Sequence, residues 1–175
     1  EMMPDERGRG HGNTDIATHI ALPSLAAEWP HLARVELPPF RAAIAAGATG
    51  VMSAHIALPG LDGGQVRPAT LTPGILTGIL RDSLGFEGVV VTDALNMGAL
   101  VKHYTIADIA VGALLSGADV LVQPADPYAV VDAIDAAIRE GRLSEARVDR
   151  SVLRVLALKR RFGLFTTRTV LLDSV

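Results

Sequence analysis

The residues best placed to do chemistry are Asp93 and a scatter of histidines. Asp93 lies within the stretch 88–100, GVVVTDALNMGAL, in which Val89, Val90, Val91 and Thr92 run straight into the carboxylate. A short Val run of this kind reads as a strand buried on both faces, as in parallel sheets. A carboxylate at the carboxyl end of such a strand lies where α/β folds place ligands and chemistry. The competing reading is that Asp93 merely caps the following turn. Upstream, 10–30 is rich in Gly, Asn, Thr and His and has no sustained period. Within it His11 stands between two glycines, followed by Asn13-Thr14-Asp15 and then Thr18-His19. A long polar loop in a compact domain is more often functional than idle, and Ile16, Ile20, Leu22 and Pro23 give this one anchoring surface.

The elements that must position these residues follow a regular order. Residues 1–30 read as loop. Pro38-Pro39-Phe40 leads into a short helix ended by Gly47. Residues 49–56 read as a strand with His55 near its end, and 57–70 as a loop carrying Asp62 and Arg67. Thr72 and Pro73 start a helix as N-cap and first helical position, with Ile75, Leu76, Ile79 and Leu80 at helical spacing. After Asp93 a loop extends to about Thr105. Ile106, Ile109, Ala110, Ala113 and Leu114 then form a helical stripe, and 118–122 is a third strand ending at Gln123-Pro124. Asp126-Pro127 opens another helix, with Val130, Val131, Ile134 and Ile138 inward. Ser144 caps the last, with Val148, Val152, Val155 and Leu156 on one face and Lys159, Arg160 and Arg161 in its final turn, where cations suit the dipole.

Such alternation requires right-handed parallel crossovers and an α/β fold. Each strand ends in a polar residue: His55, Asp93 or Gln123. Either a doubly wound sheet or an arc of a (β/α)₈ barrel fits. A complete barrel takes about 250 residues, and this chain has 175.

Composition narrows the function classes. The chain is 49% hydrophobic with a formal net charge of -3 and no cysteine. Scattered basic residues and few aromatics argue against nucleic acid, and the absence of Cys excludes disulfides and thiol catalysis. Apolar runs are interrupted well short of a membrane span. The opening EMMPDERGRGHG has no apolar core after its charges, so it is not read as a signal peptide, and the compartment is left open. No ligand cluster suggests a metal or organic cofactor.

Taken together, GHGNTD, THIALP, VMSAHIALPGLDG, PATLTPGILTGILRDSLGFEGVVVTDALNMGAL and GADVLVQPAD resemble the β-N-acetylglucosaminidases (β-N-acetylhexosaminidases) of glycoside hydrolase family 3. The similarity is collinear from about Gly10 to Phe165. It implies a TIM-like (β/α)₈ barrel of which this chain is the C-terminal half. The domain expectation is a partial catalytic domain over 1–165, with 166–175 beginning a linker to a second domain and the chain cut at both ends. The resemblance further implies a retaining hydrolase of terminal β-linked N-acetylglucosamine, needing no cofactor. Peptidoglycan turnover products, chitin oligosaccharides or another β-glycoside would be its carbohydrate substrate. Asp93 matches the nucleophile and His19 the loop histidine that serves as acid/base; an imidazole can give and take one proton within a cycle. His55 and Met97 match positions at the sugar site, although either could equally be core, and His11 matches a second loop position there. Asp62 and Arg67 fringe the pocket or simply lie in a solvated loop.

Three departures accompany the match. Ala17 stands where the family has the Asp that orients the imidazole, leaving Asp15 as a substitute only through a different loop conformation. Glu6-Arg7-Gly8-Arg9 replace a sugar-contacting Lys-His-Phe-Pro. The first four or so barrel strands are not in this chain. Two rival readings remain. One is a receiver domain phosphorylated on Asp93, which would need an acidic pair and a Lys where this chain has His55 and Gln123. The other is a non-catalytic half barrel that self-associates through exposed edges.

Overall fold

The computed structural model describes residues 21–166. His11 and His19, with the loop that carries them, lie outside the described residues, as does the expected linker beyond 166.

Three parallel strands, β1 (Gly50–Ser53), β2 (Val89–Ala94) and β3 (Val120–Val122), form one sheet in the order β1-β2-β3. β2 is central, and its side chains explain why. Val89, Val90 and Thr92 are buried, so both faces of the strand are covered. Gly88 lets β2 enter the sheet: a Cβ there would stand 2.4 Å from the Thr49 carbonyl oxygen.

Helices link the strands. α1 (Trp29–His31) and α2 (Leu37–Ala45) are joined through a widened stretch, Leu32–Glu36, wound with i→i+5 hydrogen bonds. The helical region therefore begins at Trp29, inside the end of the stretch read as loop to residue 30 and ahead of the Pro pair. Pro38 and Pro39 lack the N–H groups that the preceding carbonyls need, and a wider turn absorbs the mismatch. The helix expected after Thr72 is also present, as a π-wound segment Gly74–Ser83. Thr72 does not cap it. Its hydroxyl turns back to donate to the Pro68 carbonyl at 2.9 Å.

The stretch expected to be loop after Asp93 contains a short helix, α3 (Gly98–Val101), whose Gly98, Ala99 and Leu100 are buried. α4 (Ile106–Ser116) follows. Its N-terminus carries a reciprocal cap, with Thr105 accepting from the Asp108 amide and the Asp108 carboxylate accepting from the Thr105 amide. That pattern stabilises a helix start. α4 is buried on two sides. Ile109 and Ala113 join Leu76, Leu80, Phe86, Val90 and Leu100 in the main core, while Val111 and Leu114 meet Ala137 and Leu143 in a second one. Burying a leucine as completely as Leu100 contributes roughly 1.5–3 kcal/mol.

α5 (Pro127–Arg139) starts on Asp126, whose carboxylate accepts the amides of Tyr128 and Ala129. Val130 points inward as its spacing suggests, but Val131 is 64% exposed and Ala137 takes the buried place. α6 (Glu145–Arg161) starts on Ser144, as expected. Its inward face differs from the apolar stripe expected of it. Ser151 is buried and Arg147 and Arg154 flank it, all turned toward Asp119 just before β3, whereas Val152 and Leu156 are exposed. An ion network thus docks this helix beside Val148, which packs against the second core as its spacing suggests.

Among the described residues no helix is long and apolar enough to cross a membrane.

Candidate active site

The site is built where β2 leaves the sheet. β1 pairs with β2 as far as Ser53↔Thr92. On the other side Val91 faces Val120 and Ala94 faces Val122, so three steps along β2 match two along β3. This bulge, uncommon in parallel pairs, re-aims the residues it contains. Thr92 mends the ladder: the Val122 amide donates to its hydroxyl oxygen at 3.0 Å, and the Leu95 amide donates to the Val122 carbonyl at 2.9 Å. The side chain re-aimed by the bulge is Asp93, half-buried at the carboxyl end of the strand.

Asp93 is held from its own backbone. Its Oδ1 accepts the Ala94 amide at 2.7 Å. The Ala94 carbonyl in turn accepts from His55 Nε2 at 3.0 Å and from the Met97 amide at 3.2 Å. The backbone of one residue, Ala94, thus joins three of the residues singled out in the sequence: Asp93, His55 and Met97. The Met97 side chain is buried, and its residue is the N-cap of α3.

His55 is 0% exposed. A carbonyl only accepts, so the ring proton sits on Nε2, and Nδ1 of the neutral imidazole accepts. Its partner is the Thr70 hydroxyl at 2.8 Å, whose oxygen lies 2.9 Å from Ser53 Oγ. The Ala54 carbonyl, at 3.2 Å, is the more distant acceptor for Thr70. Burial lowers the His55 pKa below its ordinary value, opposed by the Ala94 hydrogen bond and by the charge of Asp93. The ring is therefore neutral at neutral pH, with both nitrogens occupied. Ser53 and Thr70 went unnoticed in the sequence. Ser53 carries one signal: it shares a strand face with His55, two residues on.

The remaining loop residues are also placed. Asp62 and Arg67 pair with each other, Arg67 Nε and Nη2 donating to the two carboxylate oxygens at 3.0 and 2.7 Å. Gln123, which follows β3, sits in the left-handed region with φ 45°. Strain of that kind collects near functional sites. Among the described residues no group of three or more His, Asp or Glu is placed to hold a metal ion.

A carboxylate at the carboxyl end of the central strand of a parallel α/β sheet stands where such folds place their chemistry. Comparison with known proteins gives the family. The model of the glycosyl hydrolase family 3 N-terminal domain matches residues 8–158. A beta-hexosaminidase of Mycobacterium tuberculosis is 32% identical over 161 residues, 86% of this chain and 40% of that protein. Beta-hexosaminidase A of Pseudoalteromonas piscicida is 34% identical over 125 residues, 66% of this chain and 21% of that protein. Among solved structures, a glycoside hydrolase family 3 beta-N-acetylglucosaminidase from Paenibacillus sp. superposes with a TM-score of 0.85 at 44% identity, covering 93% of this chain and 31% of that one. The chain belongs to glycoside hydrolase family 3. It spans between about a fifth and two fifths of the length of these curated relatives. Nothing in these comparisons supports the receiver reading.

Proposed function

We propose that this chain carries the nucleophile half of a retaining β-N-acetylhexosaminidase site. The three-stranded sheet is then the C-terminal half of a TIM-like barrel. Asp93 attacks the anomeric carbon of a terminal β-linked N-acetylglucosamine, and the glycosidic oxygen leaves with a proton from His19. The product of this step is an α-linked glycosyl ester on Asp93. Water then attacks the same carbon from the opposite face, giving its proton to His19 and releasing the carboxylate. Two displacements restore the β configuration. Hydrolysis of β-hexosaminides is what the names of the relatives above describe.

The observation that carries the reading is the placement of Asp93. Asp93 lies within the register shift at the strand's carboxyl end, half-buried, and the Ala94 amide fixes one of its oxygens. A nucleophile must be held within a few tenths of an ångström of its line of attack, and backbone donors do that better than mobile side chains. His19 enters through the family pattern, with Ala17 in place of the orienting carboxylate. Losing such a partner costs orders of magnitude in comparable dyads, so slow turnover is expected. His55, with both nitrogens engaged, supports the glycosidase site from behind instead of touching sugar.

The test is intact-protein mass after incubation with an activated fluoro-sugar of the N-acetylglucosamine type. One added sugar, absent from Asp93→Asn, supports the mechanism. An adduct that forms only when the upstream barrel half of a relative is joined to this chain places the site between two halves. No adduct in either form overturns it.

A further inference from the structure

Three hydrogen bonds in line run from Ser53 through Thr70 and His55 to the Ala94 carbonyl. Ser53 donates to Thr70, Thr70 to His55 Nδ1, and His55 Nε2 to the Ala94 carbonyl, with spacings of 2.9, 2.8 and 3.0 Å. Ser53, His55 and Thr70 are all buried, so water does not compete for these bonds. All the protons point one way, toward β2. The chain crosses from β1, through the segment after the 57–70 loop, to the far side of the residue that holds Asp93. The Ala94 amide and carbonyl belong to one residue, and both are taken: the amide by Asp93 Oδ1, the carbonyl by His55 and the Met97 amide.

We propose that His55, seated on Thr70 and Ser53, is a positioning residue that locks Ala94 and thereby sets the direction of the Asp93 carboxylate. The inference rests on Asp93 being the reacting group only for its consequence in catalysis; the locking itself is a statement about Ala94. In the neutral ring Nδ1 accepts from Thr70 while Nε2–H donates to the Ala94 carbonyl; protonation would turn the Thr70 hydroxyl to the longer Ala54 contact without breaking the bond to Ala94. The lock is directional, so a side chain that fills the same space without an N–H does not replace it. Gln places an amide N–H close to where Nε2 stands; Phe fills the volume and offers none.

The experiment compares the full chain with His55→Phe, His55→Gln and Thr70→Val. Hydrogen exchange of the Ala94 amide is read by NMR, alongside exchange of slow core amides on β2 and α4, which report global opening. In His55→Phe the Ala94 amide is expected to exchange roughly three- to tenfold faster than the change in the core amides explains, as loss of one hydrogen bond implies. His55→Gln is expected to restore the wild-type rate. Thr70→Val is expected to shift Ala94 in the same direction by less, and it carries the test if His55→Phe does not fold. The proposal is overturned if Ala94 exchange only tracks the core in His55→Phe and Thr70→Val, or if Gln behaves as Phe does. The rate of sugar adduct formation is measured on the same variants against their affinity for free N-acetylglucosamine. A lowered rate at unchanged affinity links the lock to the reaction. An intact Ala94 pattern with no adduct on Asp93, either in this chain or after the upstream barrel half of a relative is joined to it, would retain the lock and discard the nucleophile.

Discussion

At the scale of single residues, His55 gives the clearest pH prediction. Its pKa is lowered in the folded chain, chiefly by burial, from the ordinary 6.5. In the unfolded chain the ring takes up a proton as pH falls through about 6.5, while the folded chain does not until lower pH. Over that window the unfolded state binds more protons, so stability falls as pH falls. Above it both states hold a neutral ring and the effect vanishes. Asp93 is the charged group facing His55, and its attraction limits the shift without reversing it. Urea denaturation at pH 7.5 and 5.0 should therefore show a larger loss for the wild type than for His55→Gln. Equal losses would mean that the buried ring is not resisting protonation. Asp93 was visible in the sequence because an apolar run stopped at a carboxylate. The role of His55 was not, because a histidine at a strand end reads the same whether it faces a ligand or a carbonyl. Its partner Thr70 lies fifteen residues away, across a loop no periodicity spans.

At the scale of elements, the docking of α6 carries the next prediction. The Asp119 side chain is 0% exposed and takes hydrogen bonds from Arg81 at 2.6 Å, Ser151 at 2.7 Å, the Val90 amide at 3.0 Å and Arg154 at 3.1 Å. Arg147 bonds Ser151 and the Ala118 carbonyl beside it. One anion therefore ties the helical segment Gly74–Ser83, β2, β3 and α6. Asp119→Asn would leave the guanidiniums buried without their counter-charge, and removing one partner of such a pair costs about 3–5 kcal/mol. The measurement is the urea midpoint. Because Asp119 precedes β3 at the end of the sheet opposite Asp93, the intrinsic geometry at Ala94 should survive, and unchanged Ala94 exchange relative to core amides under native conditions checks this. The strands and the helices capped by Asp126 and Ser144 were legible from apolar runs and cap residues. The order of the strands in the sheet was not, because those runs fit a doubly wound sheet as well as a barrel arc. The inward face of α6 was not. Arg147, Ser151 and Arg154 lie at helical spacing, but polar residues at that spacing normally mark the solvated side, and only the position of Asp119 turns them inward. The bulge at Asp93 was hidden for a related reason: it is a mismatch between two strands, and neither strand's sequence records the other's register.

At the scale of the whole molecule, the open surfaces decide how the chain behaves in solution. Among the described strands β1 pairs on one side only, with β2. Along that edge runs a groove of about 780 Å³ lined by Leu32, Leu37, Phe40, Val51, Met52 and Ile79 among others. Met52 is 61% exposed there. On α6 and just beyond it, Leu153 is 64% exposed, close to Val152, Leu156, Phe162, Leu164 and Phe165, which are also exposed. A parallel edge with unpaired amides beside apolar surface recruits other chains, and patches of this kind rarely remain bare in a stable monomer. The chain is therefore expected to self-associate, with a light-scattering mass above the 18.4 kDa of one copy at micromolar concentration. The two surfaces make different predictions. If the edge of β1 drives association, Met52→Lys returns the mass toward the monomer, since a lysine on an edge strand opposes pairing, and Leu153→Glu does not. If the face of α6 drives it, the reverse holds. The edge is favoured, because main-chain groups there gain hydrogen bonds as well as burial, whereas α6 gains burial alone. A monomeric wild type at the same concentration would show that the described edge and α6 face do not recruit a second copy. The half-barrel reading would then have to complete its site without a partner.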